Sequence, residues 1–277
     1  MINILFAGND KVFDGIMTCL LSILKRSNDP ALNVYIYTMN LTEVKPEYTA
    51  ISEEKASFLD SLVKRYNKES SVRAVDVTGY YKKYFGGGPN EGAYCTPYTL
   101  LRLLADVVPD MPEKLLYLDA DLMFNRGIEL LYDIDVEGYE YAAARDHYGK
   151  YLVNPNFINA GVLLLNMKEI GNTGLFVKSR DLLARKKLLF ADESAIWRCS
   201  SKKKMLPQKF NDQKFLHKST VVRHFSKRLF YLPYPHTDNI KPWMVTKVHR
   251  VFGYDEFDDC LYEYIYLKRA FEDGSIK

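Results

Sequence analysis

Apolar positions at the amino terminus form a short unbroken run, Asn3-Ile4-Leu5-Phe6-Ala7, that stops at Gly8-Asn9-Asp10. A run of that length ending in a turn signal predicts a buried strand. The spacing then changes. Ile16, Met17, Leu20, Leu21 and Leu24 recur along one helical face, closed by Asn28-Asp29-Pro30. Val34 to Tyr37 predicts a second strand and Val72 to Val77 a third. Between them Ser52 is placed to cap a helix whose apolar stripe is Leu59, Leu62, Val63 and Tyr66. Strand and helix alternating in this way predict a parallel α/β layer. After the flexible loop Gly86-Gly87-Gly88-Pro89-Asn90, a helix is expected through Leu100, Leu101, Leu104 and Ala105, ending near Pro109. A buried strand, Leu115-Leu116-Tyr117-Leu118, then stops at Asp119-Ala120-Asp121. The second half is less regular. It predicts strands over Tyr141 to Ala144, Phe157 to Leu165 and Thr220 to Phe225, and helices over Leu175 to Leu189 and Tyr254 to Phe271.

The 277 residues suit one large α/β domain with at most a small appendage. With 47% hydrophobic and 26% charged residues, the composition is that of an ordered globular chain. The 38 basic and 35 acidic residues nearly cancel, so charge gives no reason to expect a nucleic-acid partner. Tyrosine is abundant, at 21 residues, and suits contacts with sugars and bases, although packing explains any single one as well. Cys19, Cys95, Cys199 and Cys260 are too widely spaced for a Cys-x-x-Cys site. The first apolar run is short, lacks a basic prefix and does not read as a secretory signal. No stretch approaches bilayer length. The expectation is a cytoplasmic chain with free thiols and at most peripheral membrane contact.

Tyr117-Leu118-Asp119-Ala120-Asp121 carries the most chemistry. A buried strand delivers two carboxylates to its carboxyl end, where open α/β sheets bind ligands. Strand geometry points alternate side chains the same way, so both can face one cation. Mg²⁺ and Mn²⁺ commonly bridge one or two carboxylates to substrate phosphates. A strand running into a capped turn gives the same pattern, and the residues alone leave both readings open.

This segment resembles the metal motif of glycosyltransferase family 8, which includes bacterial galactosyl- and glucosyltransferases and glycogenin. Other pieces resemble the family in the same order. Phe6-Ala7-Gly8-Asn9-Asp10 is similar to its nucleotide-binding turn, and Arg102 lies where the family places an arginine. Ala144-Arg145-Asp146 is similar to its donor-sugar aspartate segment, and Asn159-Ala160-Gly161-Val162 to its Asn-Ala-Gly-Val motif. Asp192-Glu193 stands at an Asp-Gln pair, and Lys241-Pro242-Trp243 matches its Lys-Pro-Trp. The resemblance runs from residue 2 to about 243.

What the resemblance implies is a single Rossmann-like nucleotide-sugar-binding domain of the GT-A type, with a mixed central sheet. Residues 1–250 would form it, and 251–277 a small C-terminal helical tail packed on it. It implies a retaining hexosyltransferase that uses Mn²⁺ or Mg²⁺, a UDP-glucose or UDP-galactose donor, and a saccharide or glycolipid acceptor. The metal would be held by Asp119, Asp121 and a histidine, His224 being favoured over His236. Ala7, Gly8, Asn9, Arg102, Ala120 and Lys241 would hold the nucleotide and diphosphate. Asn159, Ala160, Asp146, Asp192 and Glu193 would orient the sugar, and Asp192 or Glu193 would supply any nucleophile. Asn9, Lys11 and Glu193 depart from the family's usual residues. Two rivals stand beside this reading. A sugar nucleotidyltransferase would show a glycine-rich basic loop near the amino terminus, where Ala7-Gly8-Asn9-Asp10 is poor in both. A non-catalytic nucleotide-sugar binder would bind donor without turning it over.

Overall fold

The computed structural model describes residues 1–91 and 97–276. Its strands are β1 (Ile2–Ala7), β2 (Leu32–Thr38), β3 (Ser71–Asp76), β4 (Lys114–Leu118), β5 (Leu122–Phe124), β6 (Tyr141–Ala144), β7 (Val162–Asn166), β8 (Lys203–Leu206), β9 (Val222–His224), β10 (Arg228–Phe230) and β11 (His236–Asp238). The helices are α1 (Phe13–Arg26), α2 (Glu53–Tyr66), α3 (Thr78–Phe85), α4 (Glu129–Tyr132), α5 (Gly149–Leu152), α6 (Met167–Thr173), α7 (Leu175–Arg185), α8 (Ala191–Cys199), α9 (Val245–Lys247) and α10 (Asp258–Glu272).

Seven strands form one sheet in the order β3-β2-β1-β4-β7-β6-β8. The first four run parallel, β7 runs against both β4 and β6, and β8 runs parallel to β6. The sheet is therefore mixed. The unbroken apolar runs have a simple cause, since both faces are covered. Ile4, Phe6, Val34, Ile36, Leu116 and Leu118 face one core, with α1, α2 and α10. Leu5, Tyr35, Tyr37, Leu115 and Tyr117 face the other, with α3, α7 and α8. The chain passes from β1 outward through β2 and β3, then returns to β4 on the other side of β1. The carboxyl ends of β1 and β4 thus meet at the switch point where such sheets open a crevice.

Four segments differ from the sequence reading. Pro97–Leu104 winds as 3-10 turns rather than an α-helix, carrying Arg102 inward where its Nε bonds the Thr99 carbonyl at 2.9 Å. The helix expected to reach Leu189 stops at Arg185, and a second helix, α8, follows. The cause is distant in sequence. The buried Asn90 side chain donates to the Leu183 and Lys186 carbonyls and accepts from the Leu188 amide, capping the helix end. The strand expected from Phe157 begins only at Val162, because Asn159 Oδ1 accepts from the Gly161 amide and turns the chain. The last helix starts at Asp258 rather than Tyr254. Ser52 does precede α2, but its side chain makes no capping bond.

The last helix lies along α1. Phe257, Cys260, Leu261, Tyr264 and Leu267 are buried, and Arg26 forks onto Asp259 at 2.7 and 2.8 Å. Cys19, Cys199 and Cys260 are free thiols, while Cys95 lies outside the described residues. Among the described residues, no helix is long and apolar enough to cross a membrane.

Candidate active site

β4 ends at Leu118, and Asp119 follows with its amide bonded to the Gly161 carbonyl at 2.8 Å. The chain turns through Ala120 and Asp121 and re-enters a short two-stranded sheet, β5 with β9. The register of that pair sets Leu122 opposite His224, and the Phe225 amide bonds the Asp121 carbonyl at 2.9 Å. This pairing carries His224 to the two carboxylates. One ligand atom each from Asp119, Asp121 and His224 lies within 4.8 Å of the others. His224 Nε2 is 3.2 Å from Asp121 Oδ1. His236 is elsewhere, on the β10–β11 hairpin, bonded to the Tyr234 carbonyl and stacked on Phe230.

The donor set, two carboxylates and an imidazole, fits a hard or borderline divalent cation. The backbone beside it leaves no spare volume. A Cβ on Gly161 would stand 2.5 Å from His224 Cε1 and 2.8 Å from Asp119 Oδ2, so only glycine admits both side chains there. Gly15 is equally constrained, between the Ala120 carbonyl and Trp243.

Electrostatics divide the carboxylates. Burial pushes Asp121 up, but Lys241 and His224 outweigh it and hold the carboxyl well below its usual range. Lys241 Nζ is bonded to Asp121 Oδ2 and sits 3.3 Å from the Phe225 carbonyl. Asp119 Oδ1 accepts from Arg102 Nη2 at 3.0 Å and from the Tyr117 hydroxyl at 2.9 Å. Arg102 is almost fully buried, lies over the Tyr117 ring at 3.9 Å, reaches Asp192 Oδ2 at 3.3 Å and bonds the Ala160 carbonyl. Burial raises Asp192, with Arg102 opposing the shift and Asp119 adding to it. Glu193 is raised well above an ordinary carboxyl by burial, then by Asp146 and Asp192. Part of its side chain still meets solvent, but its carboxyl is enclosed and accepts from the Ala160 amide at 2.9 Å.

Two connected hollows share Thr99 and Asp119. The larger spans about 880 Å³, part of it open to solvent, between the β1 turn and Lys241. Ala7, Gly8, Asn9, Ala120 and Asp121 line it, with Tyr48, Tyr98 and Trp243 as aromatic walls. The smaller, about 390 Å³, is polar and holds Arg102, Asn159, Ala160, Asp192 and Glu193. Asp146 stands one residue back. Its Oδ1 accepts from the Tyr148 and Gly149 amides, and its Oδ2 from Asn159 Nδ2 at 3.0 Å. Asn9 faces the large cleft with its amide partly engaged, donating to the Glu47 carbonyl and accepting from the Lys11 amide. Tyr48, Tyr98, Tyr117 and Asn211 were not singled out from sequence as site residues. For Tyr117 the signal was its place on the strand that delivers Asp119. For Asn211 there was none, because its partners are Asn159 and His224.

Comparison with known proteins gives this geometry a family. The sequence model of glycosyl transferase family 8 matches residues 3–244. A Haemophilus influenzae protein named as a glycosyltransferase is 25% identical over 223 residues, 76% of this chain and 62% of its own length. This chain thus spans less than two thirds of that relative. Among solved structures, the WbbM bifunctional glycosyltransferase superposes with a TM-score of 0.70 at 16% identity, over 97% of this chain and 51% of that one. The galactosyltransferase LgtC, solved with donor and acceptor sugar analogues, superposes with a TM-score of 0.63 at 18% identity, over 95% and 96%. These likenesses show a GT-A type fold. With its family model matched over nearly the whole chain, the protein belongs to glycosyltransferase family 8.

Proposed function

We propose that this chain transfers a hexose from a UDP-sugar to a saccharide acceptor, with retention of configuration and dependence on a divalent cation. The observation that carries the reading is the meeting of Asp119, Asp121 and His224 where the large cleft joins the small polar hollow. The large cleft has the size and aromatic walls for a nucleotide, and the small one has the polar lining for a sugar ring. LgtC, of like fold, is a galactosyltransferase solved with donor and acceptor sugar analogues, which supports both assignments.

In this reading Asp119, Asp121 and His224 hold the cation. When bound, it supplies countercharge to the departing diphosphate. Lys241, paired with Asp121 at the edge of the same cleft, would place its ammonium as a second positive charge beside the leaving diphosphate. Tyr48 and Tyr98 offer ring faces to the base. Asn9 Oδ1 accepts one bond from the Lys11 amide and keeps a second lone pair for the base edge at the β1 turn, where the Gly8 amide is held by the Tyr37 carbonyl. Arg102 bonds Asp119, Asp192 and two backbone carbonyls, so it orders the carboxylates beside the donor. Asn159, Asp192 and Glu193 surround the sugar. Asp192, with Arg102 beside it, would present its carboxylate toward the anomeric centre, and Glu193, which burial shifts toward its neutral form, accepts from the Ala160 amide beside it. On the rim, Gln213 bonds the Arg145 carbonyl and His147 amide, joining the Asp146 loop to the segment with exposed Phe215. That segment leads to exposed Tyr231, Leu232 and Tyr234, an apolar margin that suits an acceptor carried on lipid.

The direct test is donor hydrolysis with Mn²⁺ across UDP-glucose, UDP-galactose and UDP-N-acetylglucosamine, beside UTP plus a sugar phosphate. Turnover of one UDP-sugar is expected and should vanish with chelator. Donor binding without turnover under any acceptor would make the chain a binder, and activity only with UTP plus a sugar phosphate would make it a nucleotidyltransferase.

Glu193→Gln gives a pH-dependent prediction. An unfolded glutamate ionises near pH ~4.3. Because the folded carboxyl is raised above that value, the stability it allows is fully present below pH ~4.3 and is lost as pH rises through the folded value. Glutamine has no proton to lose and can accept from the Ala160 amide in the same way. Native and variant should therefore melt alike near pH 5, and the variant should melt higher at pH 8.5, with donor hydrolysis holding further into the alkaline range. A melting difference that does not change with pH would show that Glu193 is already ionised.

A further inference from the structure

Hydrogen-bond donors and acceptors match in turn along one partly buried chain of side chains. Asp146 Oδ2, an acceptor, faces Asn159 at 3.0 Å, so Asn159 must present Nδ2 to it. Its Oδ1 then faces the Gly161 amide at 3.1 Å, a donor that fixes the same orientation independently. That oxygen also accepts from Asn211 Nδ2 at 2.8 Å, which leaves Asn211 Oδ1 directed at His224 Nδ1, 3.0 Å away. An amide oxygen can only accept. Reversing Asn211 would reverse Asn159 with it, setting Asn159 Oδ1 against the Asp146 carboxylate and Nδ2 against the Gly161 N–H. Asn211 is fully buried and its backbone is pinned by its own amide on the Gln208 carbonyl at 2.9 Å.

We infer that Asn211 is a positioning residue that keeps the proton of His224 on Nδ1, so that Nε2, the nitrogen facing Asp121, is the atom left to bind a cation. The inference rests on the metal site proposed above. It extends that site inward, since the residues that orient the sugar also set the tautomer of the metal ligand through two amides. Such outer partners of a ligating histidine typically contribute about 10- to 100-fold in metal affinity.

The test has two independent readouts. In the wild-type protein labelled with ¹⁵N-histidine, with the His224 signal identified by its loss in His224→Gln, long-range ¹H–¹⁵N correlations report which ring nitrogen is protonated. Nδ1–H is expected both metal-free at alkaline pH and with Mg²⁺ bound. Mn²⁺ affinity is then measured by titration without donor. Asn211→Ala should bind Mn²⁺ about 10- to 100-fold more weakly. Asn211→Asp, whose carboxylate still accepts from Nδ1–H but cannot donate to Asn159, should recover most of that loss. A merely structural role would not give rescue by Asp, because that change disturbs Asn159 as well. An Nε2–H ring in the wild type, or Asn211→Ala binding Mn²⁺ as tightly as wild type, overturns the inference. If Asn211→Ala does not fold, the wild-type spectrum alone decides. Failure of the wild type to bind Mn²⁺ at all would instead defeat the metal site, while the tautomer still reports on Asn211.

Discussion

Asp121→Asn is expected to reduce Mn²⁺-dependent donor turnover by about 10²- to 10³-fold, the scale seen when one group that supports transition-state charge stabilisation is removed. The carboxylate does two things that an amide cannot. It gives a full negative charge to the cation, and in the metal-free site it holds Lys241. Lys241 and His224 hold it well below the usual carboxyl range against the effect of burial. The loss should appear in binding as well as rate. UDP and Mn²⁺ at about 100 times their dissociation constants should stabilise the wild type by about 2.7 kcal/mol, and that rise in melting temperature should disappear in the variant. The variant's own fold should survive, because Lys241 keeps the Phe225 carbonyl and retains some exposure to water. Full turnover in Asp121→Asn, or an unchanged response to Mn²⁺, would defeat the metal assignment.

How much of this was legible in the sequence follows from the range of the interactions. Apolar period and turn residues predicted β1 to β4 and the parallel half of the sheet, because those strands are buried on both faces and their pattern is local. Asp119 and Asp121 were visible for the same reason, as the end of a buried strand. The resemblance placed His224 at the end of a strand, but not its partner β5, whose register brings it to Asp121. The break between α7 and α8 was invisible, because the group that makes it is Asn90, about 95 residues earlier in the chain. Arg102 was read as a donor contact from its place in the motif order. The structure adds bonds from its guanidinium to Asp119, Asp192 and backbone carbonyls, and no local pattern encodes those. Asn211 lay outside every motif, and its role appears only when donors and acceptors are matched across four segments.

Arg102→Met should be the most destabilising single change in the site, costing about 3–5 kcal/mol, the usual penalty for removing one partner of a buried ion pair. Methionine fills much of the same volume and can still pack against the Tyr117 ring, so the loss is chiefly of charge and donors. Arg102 is the cation beside Asp192, which is almost as buried as Arg102 itself. It also bonds the Ala160 carbonyl, which would be left short of a donor, and Asp119, whose partial exposure lets water replace part of the loss. At about 2–4 °C per kcal/mol for a chain of this size, melting should fall by about 6–20 °C. The sign of its pH dependence follows from Asp192. Its folded value is already raised by burial, and losing the guanidinium raises it further. A raised carboxyl loses stability as pH rises, so the deficit of the variant should be smaller near pH 5 and larger near pH 8. Arg102→Lys restores one charge without the fork that spans Asp119 and Asp192, and should recover only part of the loss. A deficit that ignored pH, or a lysine variant as stable as wild type, would show that the guanidinium is not what orders these carboxylates.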